Sequence, residues 1–192
     1  MTRFDPIMAS PVNYWGSIAA DVAVGATSLV AAFATGTIAT TFAAILAGAL
    51  WYSLCEYGIH RWIYHAGRTV AAEVHDRHHA EPATIIGSPF YYSVSIAALH
   101  GVGVALVFGV PLGLVFAGTM LFSYGQQSLI HHSAHRYPHL DVLGRRSELR
   151  RHHAVHHAVG TVNFGVSTTI WDRLLGTYNT GGHCRRQSHH AR

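Results

Sequence analysis

Polar and apolar positions are sharply segregated along this chain. No Asp, Glu, Lys or Arg occurs between Val22 and Cys55, nor between Pro82 and His135. Both stretches are mostly apolar, and a helical membrane crossing needs about 20 such residues. The first is too long for one crossing, and Thr35-Gly36-Thr37 is its natural turn. This predicts helices over about 17–34 and 38–57. The second breaks at Gly109-Val110-Pro111, because proline ends a helix and glycine permits the turn. Helices over about 91–108 and 112–130 follow. The pattern thus predicts an all-α membrane protein with four transmembrane helices in two hairpins, 17–57 and 91–130. The length favours a single integral-membrane domain over 1–192.

Composition supports the membrane reading. Hydrophobic residues make up 49% of the chain and charged ones only 11%, against about a quarter charged in soluble domains. The net charge of +4 comes from thirteen arginines and no lysine. These arginines flank the apolar stretches, where they mark the cytoplasmic side. No recognition motif accompanies the charge, so nucleic acid is not expected as a partner. Apart from Asp21 and Glu56 at helix ends, the charges lie in the N-terminal tail, in Arg61–Glu81, or after His135. Four crossings put those three segments on one face. Residues 58–90 and 131–178 then form a cytosolic, histidine-rich helical cap, and 179–192 reads as a disordered tail. Cys55 and Cys184 give no disulfide framework. The opening MTRFDPIMASPVNYWGS lacks the order of a signal peptide, and the first apolar run reads as an anchor. A multi-pass position in a bacterial inner membrane is the expected location.

Seventeen histidines change the picture. Most fall into four groups: HRWIYH (His60, His65), HDRHH (His75, His78, His79), HHSAH (His131, His132, His135) and RHHAVHH (His152, His153, His156, His157). His75/His78/His79 and His153/His156/His157 share the i, i+3, i+4 spacing that fills one helical face. His131 and His135 are one turn apart. His60 and His65 differ by about 140° around an α-helix, so they need a helix end or must flank a site from two directions. A hairpin followed by a histidine cluster occurs twice, which suggests a remote internal repeat. About ten imidazoles exceed what one metal uses, so two ions are implied, and imidazole suits Zn, Cu, Fe and Ni. The Glu and Glu-x-x-His pattern of carboxylate di-iron bundles is absent. Such a centre stays strongly cationic and favours peroxide, hydroxide or an anionic headgroup.

Other readings stay open on these residues. The histidines also fit a histidine-rich membrane interface with a modest pH response. A metal transporter or storage protein would need ionisable groups along the helices, where only His100 offers one beyond helix ends. A bis-histidine haem protein would place ligands within the spans. Asp76, Glu148, Asn163 and Asp172 lie near the clusters in sequence and are candidates to accept the second imidazole N–H. Arg145, Arg146, Arg150 and Arg151 suit either steering of an anion or interfacial anchoring. Trp171 reads as an interfacial aromatic. His139 and His152 are spare candidates, and His183, His189 and His190 are assigned no role.

HRWIYH, HDRHHAEPATIIGSPF, the HHSAH group and RHHAVHHAVGTVNFGVSTTIWDRLLGTY resemble the fatty acid hydroxylase superfamily of integral-membrane oxygenases. That group includes sphingolipid fatty-acid 2-hydroxylases, sterol desaturases and carotenoid ring hydroxylases. The resemblance spans roughly residues 50 to 178. It implies that His60, His65, His75, His78, His79, His131, His135, His153, His156 and His157 ligate two metal ions, catalytically iron. The doubled histidines at His131/His132 and His152/His153 leave the third motif's assignment open. Zinc binds the same imidazoles and can replace iron in purified protein. The implied activity is O2-dependent hydroxylation of a lipid C–H bond, with desaturation as a close variant. A fatty acyl chain is the preferred substrate over sterols and carotenoids. Some members carry a fused haem domain, and 192 residues leave no room for one here, so a separate electron-transfer protein is the expected partner.

Overall fold

The structure is a computed structural model that describes residues 6–35, 37–137 and 145–181. His139, Cys184, the tail histidines and the side chains of Arg145 and Arg146 lie outside the described residues, as does the tail beyond Gly181. Every regular element among the described residues is helical. In order they are α1 (Pro11–Thr35), α2 (Ile38–Gly58), α3 (Val70–Ala80), α4 (Phe90–Phe108), α5 (Val110–Arg136), α6 (Arg145–Val159) and α7 (Ile170–Leu174). The end of α2 runs directly into one π-helical segment, Ile59–Tyr64.

The chain divides into two compact units. The first comprises Met1–Ser53 and Thr84–Leu129. Its turn at Gly109 has φ of 91°, a conformation open to glycine, and Pro111 follows in the first turn of α5, where a missing N–H costs nothing. Helix α1 begins earlier than the apolar pattern predicts. The Asn13 side chain explains this: its Nδ2 donates to Ser88 O (3.1 Å) and its Oδ1 accepts from Phe90 N (3.3 Å), tying the start of α1 to that of α4. Small residues bring backbones together. A Cβ on Gly118 would lie 2.5 Å from Ser28 Cβ, and one on Gly113 would lie 2.5 Å from Gly101 O. Close backbone approach of this kind is how helices associate in lipid.

Two helical segments are long and apolar enough to cross a membrane, Ile38–Tyr64 and Phe90–Phe108. Their apolar side chains point outward: Leu106 is 83% exposed, Leu99 72% and Leu46 63%. Helices α1 and α5 have 25 and 27 residues but are less apolar. Helix α1 buries Asp21, whose Oδ1 accepts from Ser93 Oγ (2.9 Å), and α5 ends in the polar run SYGQQSLIHHSAHR.

The second unit comprises Leu54–Ala83 and Ile130–Arg192. Helix α3 starts at a Thr69 cap, whose Oγ1 accepts from Ala72 N (3.2 Å). Helix α5 runs unbroken past the predicted 130 to Arg136, so His131 and His135 share one helix.

Candidate metal centre

The second unit gathers ten histidines into two groups of five. One holds His60, His65, His75, His79 and His156, and the other holds His78, His131, His135, His153 and His157. Within each group the candidate ligand atoms lie within 4.8 Å of one another, and among the described residues neither group contains a carboxylate. These ten residues are the ones singled out from the sequence. The partition was not foreseen. In each HxxHH the outer two histidines stay with their own half of the chain, while the middle one, His78 or His156, joins the other half's group. Each group is therefore four histidines from one half and one from the other.

The π-helical segment reconciles HRWIYH with HHSAH. A π turn closes i to i+5, and the His65 N–H donates to His60 O at 3.3 Å. The extra residue in HRWIYH is absorbed there, so His60 and His65 meet as His131 and His135 do on an ordinary helix. Gly67 permits the chain to fold back after this turn, since a Cβ there would lie 2.2 Å from Ile63 O.

Hydrogen bonding assigns protons in the first group. His60 Nδ1 donates to Phe164 O (2.5 Å) and His156 Nδ1 donates to Val162 O (2.8 Å). Their Nε2 atoms are therefore bare in the neutral rings. Yet His60 Nε2 lies 3.1 Å from His75 Nε2, and His156 Nε2 lies 3.0 Å from His65 Nε2 and 3.1 Å from His79 Nε2. Converging lone pairs repel unless protons or a cation lie among them. In the second group His153 Nε2 is 2.9 Å from His135 Nε2 and 3.1 Å from His157 Nε2. His78 Nε2 is buried there with no hydrogen-bond partner among the described residues. A metal–imidazole bond is about 2.0–2.1 Å, so ligands of one ion lie up to about 4 Å apart. Each cluster needs only a small contraction to fit.

Electrostatics favours the unprotonated, ligand-competent rings. Burial, reinforced by neighbouring imidazoles, pushes His78 and His156 down to about 3 and His157 to about 2. His153 is held well below its ordinary value for the same reasons. Metal binding requires neutral imidazole, so no proton must leave these rings at neutral pH.

The remaining candidates take supporting positions. Asp172 is fully buried, and it touches none of the ten. Its Oδ2 accepts from His152 Nε2 (3.0 Å) and Gly165 N (2.8 Å), and its Oδ1 from Phe164 N (2.8 Å) and Thr177 Oγ1 (2.7 Å). Burial acts to raise Asp172, but these hydrogen bonds outweigh it and hold the carboxyl below its ordinary range. His152 is thereby engaged away from both groups. Asn163 takes a left-handed φ of 58°, and its side chain bonds His152 O (3.1 Å) and the backbone of Asn179. Neither residue accepts an imidazole N–H from the ten histidines; both shape the loop whose carbonyls do. Asp76 is exposed on α3, where its charge opposes the burial that lowers His65 and His79. Glu148 pairs with Arg173 instead (2.8 Å). His132 lies outside both groups, with its ring 5.9 Å from that of Tyr137. His100 donates Nδ1 to Ile96 O within its own helix (2.8 Å).

Sequence reasoning missed Glu56 and Tyr57. Glu56 accepts from Ser167 N (2.9 Å), from Val166 N and from Ser167 Oγ, pinning the same loop from α2. Fully buried Tyr57 accepts from Arg61 Nη1 (2.8 Å) and meets Thr177 Oγ1 at 3.0 Å. The signal was present: a lone acid four residues before His60 in an otherwise uncharged helix.

The sequence model of the fatty acid hydroxylase family matches residues 45–177, more than half of the chain. The chain belongs to that family. Among its relatives, the ceramide very long chain fatty acid hydroxylase of Saccharomyces cerevisiae is 27% identical over 144 residues, covering 68% of this chain and 36% of that protein. The dihydroceramide fatty acyl 2-hydroxylase of Arabidopsis thaliana is 22% identical over 146 residues, covering 71% of this chain and 60% of that protein. The chain thus spans less than two thirds of either relative's length. The solved structure of full-length Scs7p, in which only the hydroxylase domain is visible, shares the fold. Its TM-score is 0.75 at 21% identity, covering 93% of this chain and 70% of that one. The matched residues 45–177 include all ten histidines of the two groups.

Proposed function

We propose that this chain is a membrane-bound di-iron oxygenase that hydroxylates a C–H bond of a fatty acyl lipid, using O2 and electrons from a separate protein. One observation carries the reading: ten neutral imidazoles from four segments converge in two groups of five, with no carboxylate joining them among the described residues. The relatives named above act, by name, on ceramide fatty acyl groups, which favours an acyl chain as substrate. Four membrane crossings, with the histidine segments facing the cytoplasm, complete the proposal; the arginine bias supports that orientation.

Iron held by the ten histidines would supply activation of O2 and cleavage of the C–H bond. The chain's own residues do the rest. His60 and His156 present Nε2 inward because Phe164 O and Val162 O hold their Nδ1 protons. Asp172 and Glu56 fix the loop bearing those carbonyls. Each group would offer its ion five imidazoles, a donor type that suits iron. Burial of His60, His75, His78, His153 and His156 keeps water from the remainder of each group.

Metal content per chain, measured by mass spectrometry on protein purified anaerobically in mild detergent, tests the reading. About two irons are expected in the wild type and about one in either His78→Ala or His156→Ala. The double variant should hold none, and hydroxylated acyl lipids should vanish with it. One metal or none, unchanged by the substitutions, would sink the di-iron reading and favour a histidine-rich interface or a transporter.

A further inference from the structure

The two histidine groups differ in what adjoins them. The first faces the Val162 and Phe164 carbonyls. The second borders a cavity of about 210 Å³ lined by Pro82, Ala134, His135, Arg150, His153, Ala154 and His157. Three of the second group's five histidines form its wall, and none of the first group's do. Arg150, His153, Ala154 and His157 stand at i, i+3, i+4 and i+7 of α6, so one helical face supplies most of the lining. Ala134 and Ala154 leave the space open.

Among the described residues, Arg150 is the only permanently charged one in that lining. It is partly buried and has no ion pair or hydrogen bond among the described residues. The nearby acid of its own helix, Glu148, is engaged by Arg173. A positive charge kept free beside an opening onto imidazoles attracts anions. The ligand set strengthens the pull, because a cation held by neutral rings keeps its full charge.

We propose that this cavity is an anion site at the second histidine group, and that Arg150 anchors a carboxylate-sized anion there. This rests on the reading that the groups hold metal. A guanidinium takes a carboxylate through two parallel N–H donors, which fixes its orientation as well as its charge. The volume admits a carboxylate and a few carbons, and no long chain. Two sources share this chemistry: a small soluble carboxylate, and the head of an unesterified fatty acid.

The test uses the full-length, iron-loaded protein in detergent, with azide as the anionic probe and the visible absorption of the metal centre as readout. Arg150→Gln should weaken azide binding about tenfold or more, the loss expected for a charged hydrogen bond. Its metal content should stay at the wild-type level, which shows that the variant folds. Arg150→Lys should fall between the two, and Arg68→Gln, an exposed site elsewhere in the second unit, should match the wild type. Acetate and hexanoate should compete with azide. Stronger competition by hexanoate assigns the site to a lipid carboxylate, and equal competition assigns it to a soluble anion. Equal azide affinity in wild type and Arg150→Gln at full metal content overturns the Arg150 anchor, and failure of both carboxylates to compete overturns the ligand class. Absence of metal from the wild type would overturn the di-iron reading itself, a separate and recognisable failure.

Discussion

Four donors converge on the buried Asp172 carboxylate: Phe164 N, Gly165 N, Thr177 Oγ1 and His152 Nε2. Asp172→Asn turns one acceptor into a donor facing another donor, an arrangement costing about 1–3 kcal/mol. The loop that aims His60 and His156 should then loosen. Metal affinity of the first group should fall about 10- to 100-fold, and metal content should drop from about two per chain toward one. Titration by mass spectrometry after mild chelation checks this, and loss from the second group alone would contradict it. The depressed imidazoles set a second expectation. In metal-free protein the unfolded chain takes up protons near the ordinary 6.5, whereas folded His78 and His156 resist until about 3. Stability is therefore full above about pH 6.5 and is lost as pH falls toward 3. Melting temperature of the metal-free protein between pH 7.5 and 4 should decline steadily, and a flat profile would count against neutral burial. At this scale six of the ten histidines were legible from i, i+3, i+4 spacing, which requires a shared face, and the choice of His60, His65, His131 and His135 rested on the family resemblance. Their partition was not, since the crossing of His78 and His156 depends on how α3 and α6 meet. The task of Asp172 was also hidden, because it acts through backbone carbonyls that carry no sequence signal.

Elements behave as the apolar pattern predicts where local rules decide them. The breaks between α1 and α2 and at Gly109 fall where small residues and proline interrupt the runs. The pattern fails where a distant partner decides: Asn13 reaches Ser88 and Phe90 and so extends α1 at its start. The π-helical segment was equally invisible, although HRWIYH carried the symptom in a spacing one residue longer than HHSAH. Gly67→Ala tests that segment. Its methyl would meet Ile63 O at 2.2 Å, and overpacking of this kind costs about 1–3 kcal/mol. A clearly lower melting temperature and weakened metal binding at the first group are expected. Gly103→Ala, where an added methyl meets nothing within 4 Å, should be neutral or slightly stabilising.

For the whole molecule, the outward-facing leucines and valines of α2 and α4 exceed what a water-soluble surface tolerates. The protein should stay with membranes after alkaline carbonate washing and should aggregate when detergent is removed; release into the wash would contradict the membrane reading. Segregation of charge made this legible from the sequence alone, whereas the pairing of the two halves at the histidines needed coordinates. That pairing governs the order of events during synthesis. Because each group borrows its fifth histidine from the other half, neither is complete after the first hairpin and α3 have been made. His60, His65, His75 and His79 must wait for His156, about 80 residues later on the ribosome. If the two groups hold metal as proposed, an ion captured before then would meet an open, incomplete shell, so stable loading would belong after translation has passed α6, with both groups becoming competent together.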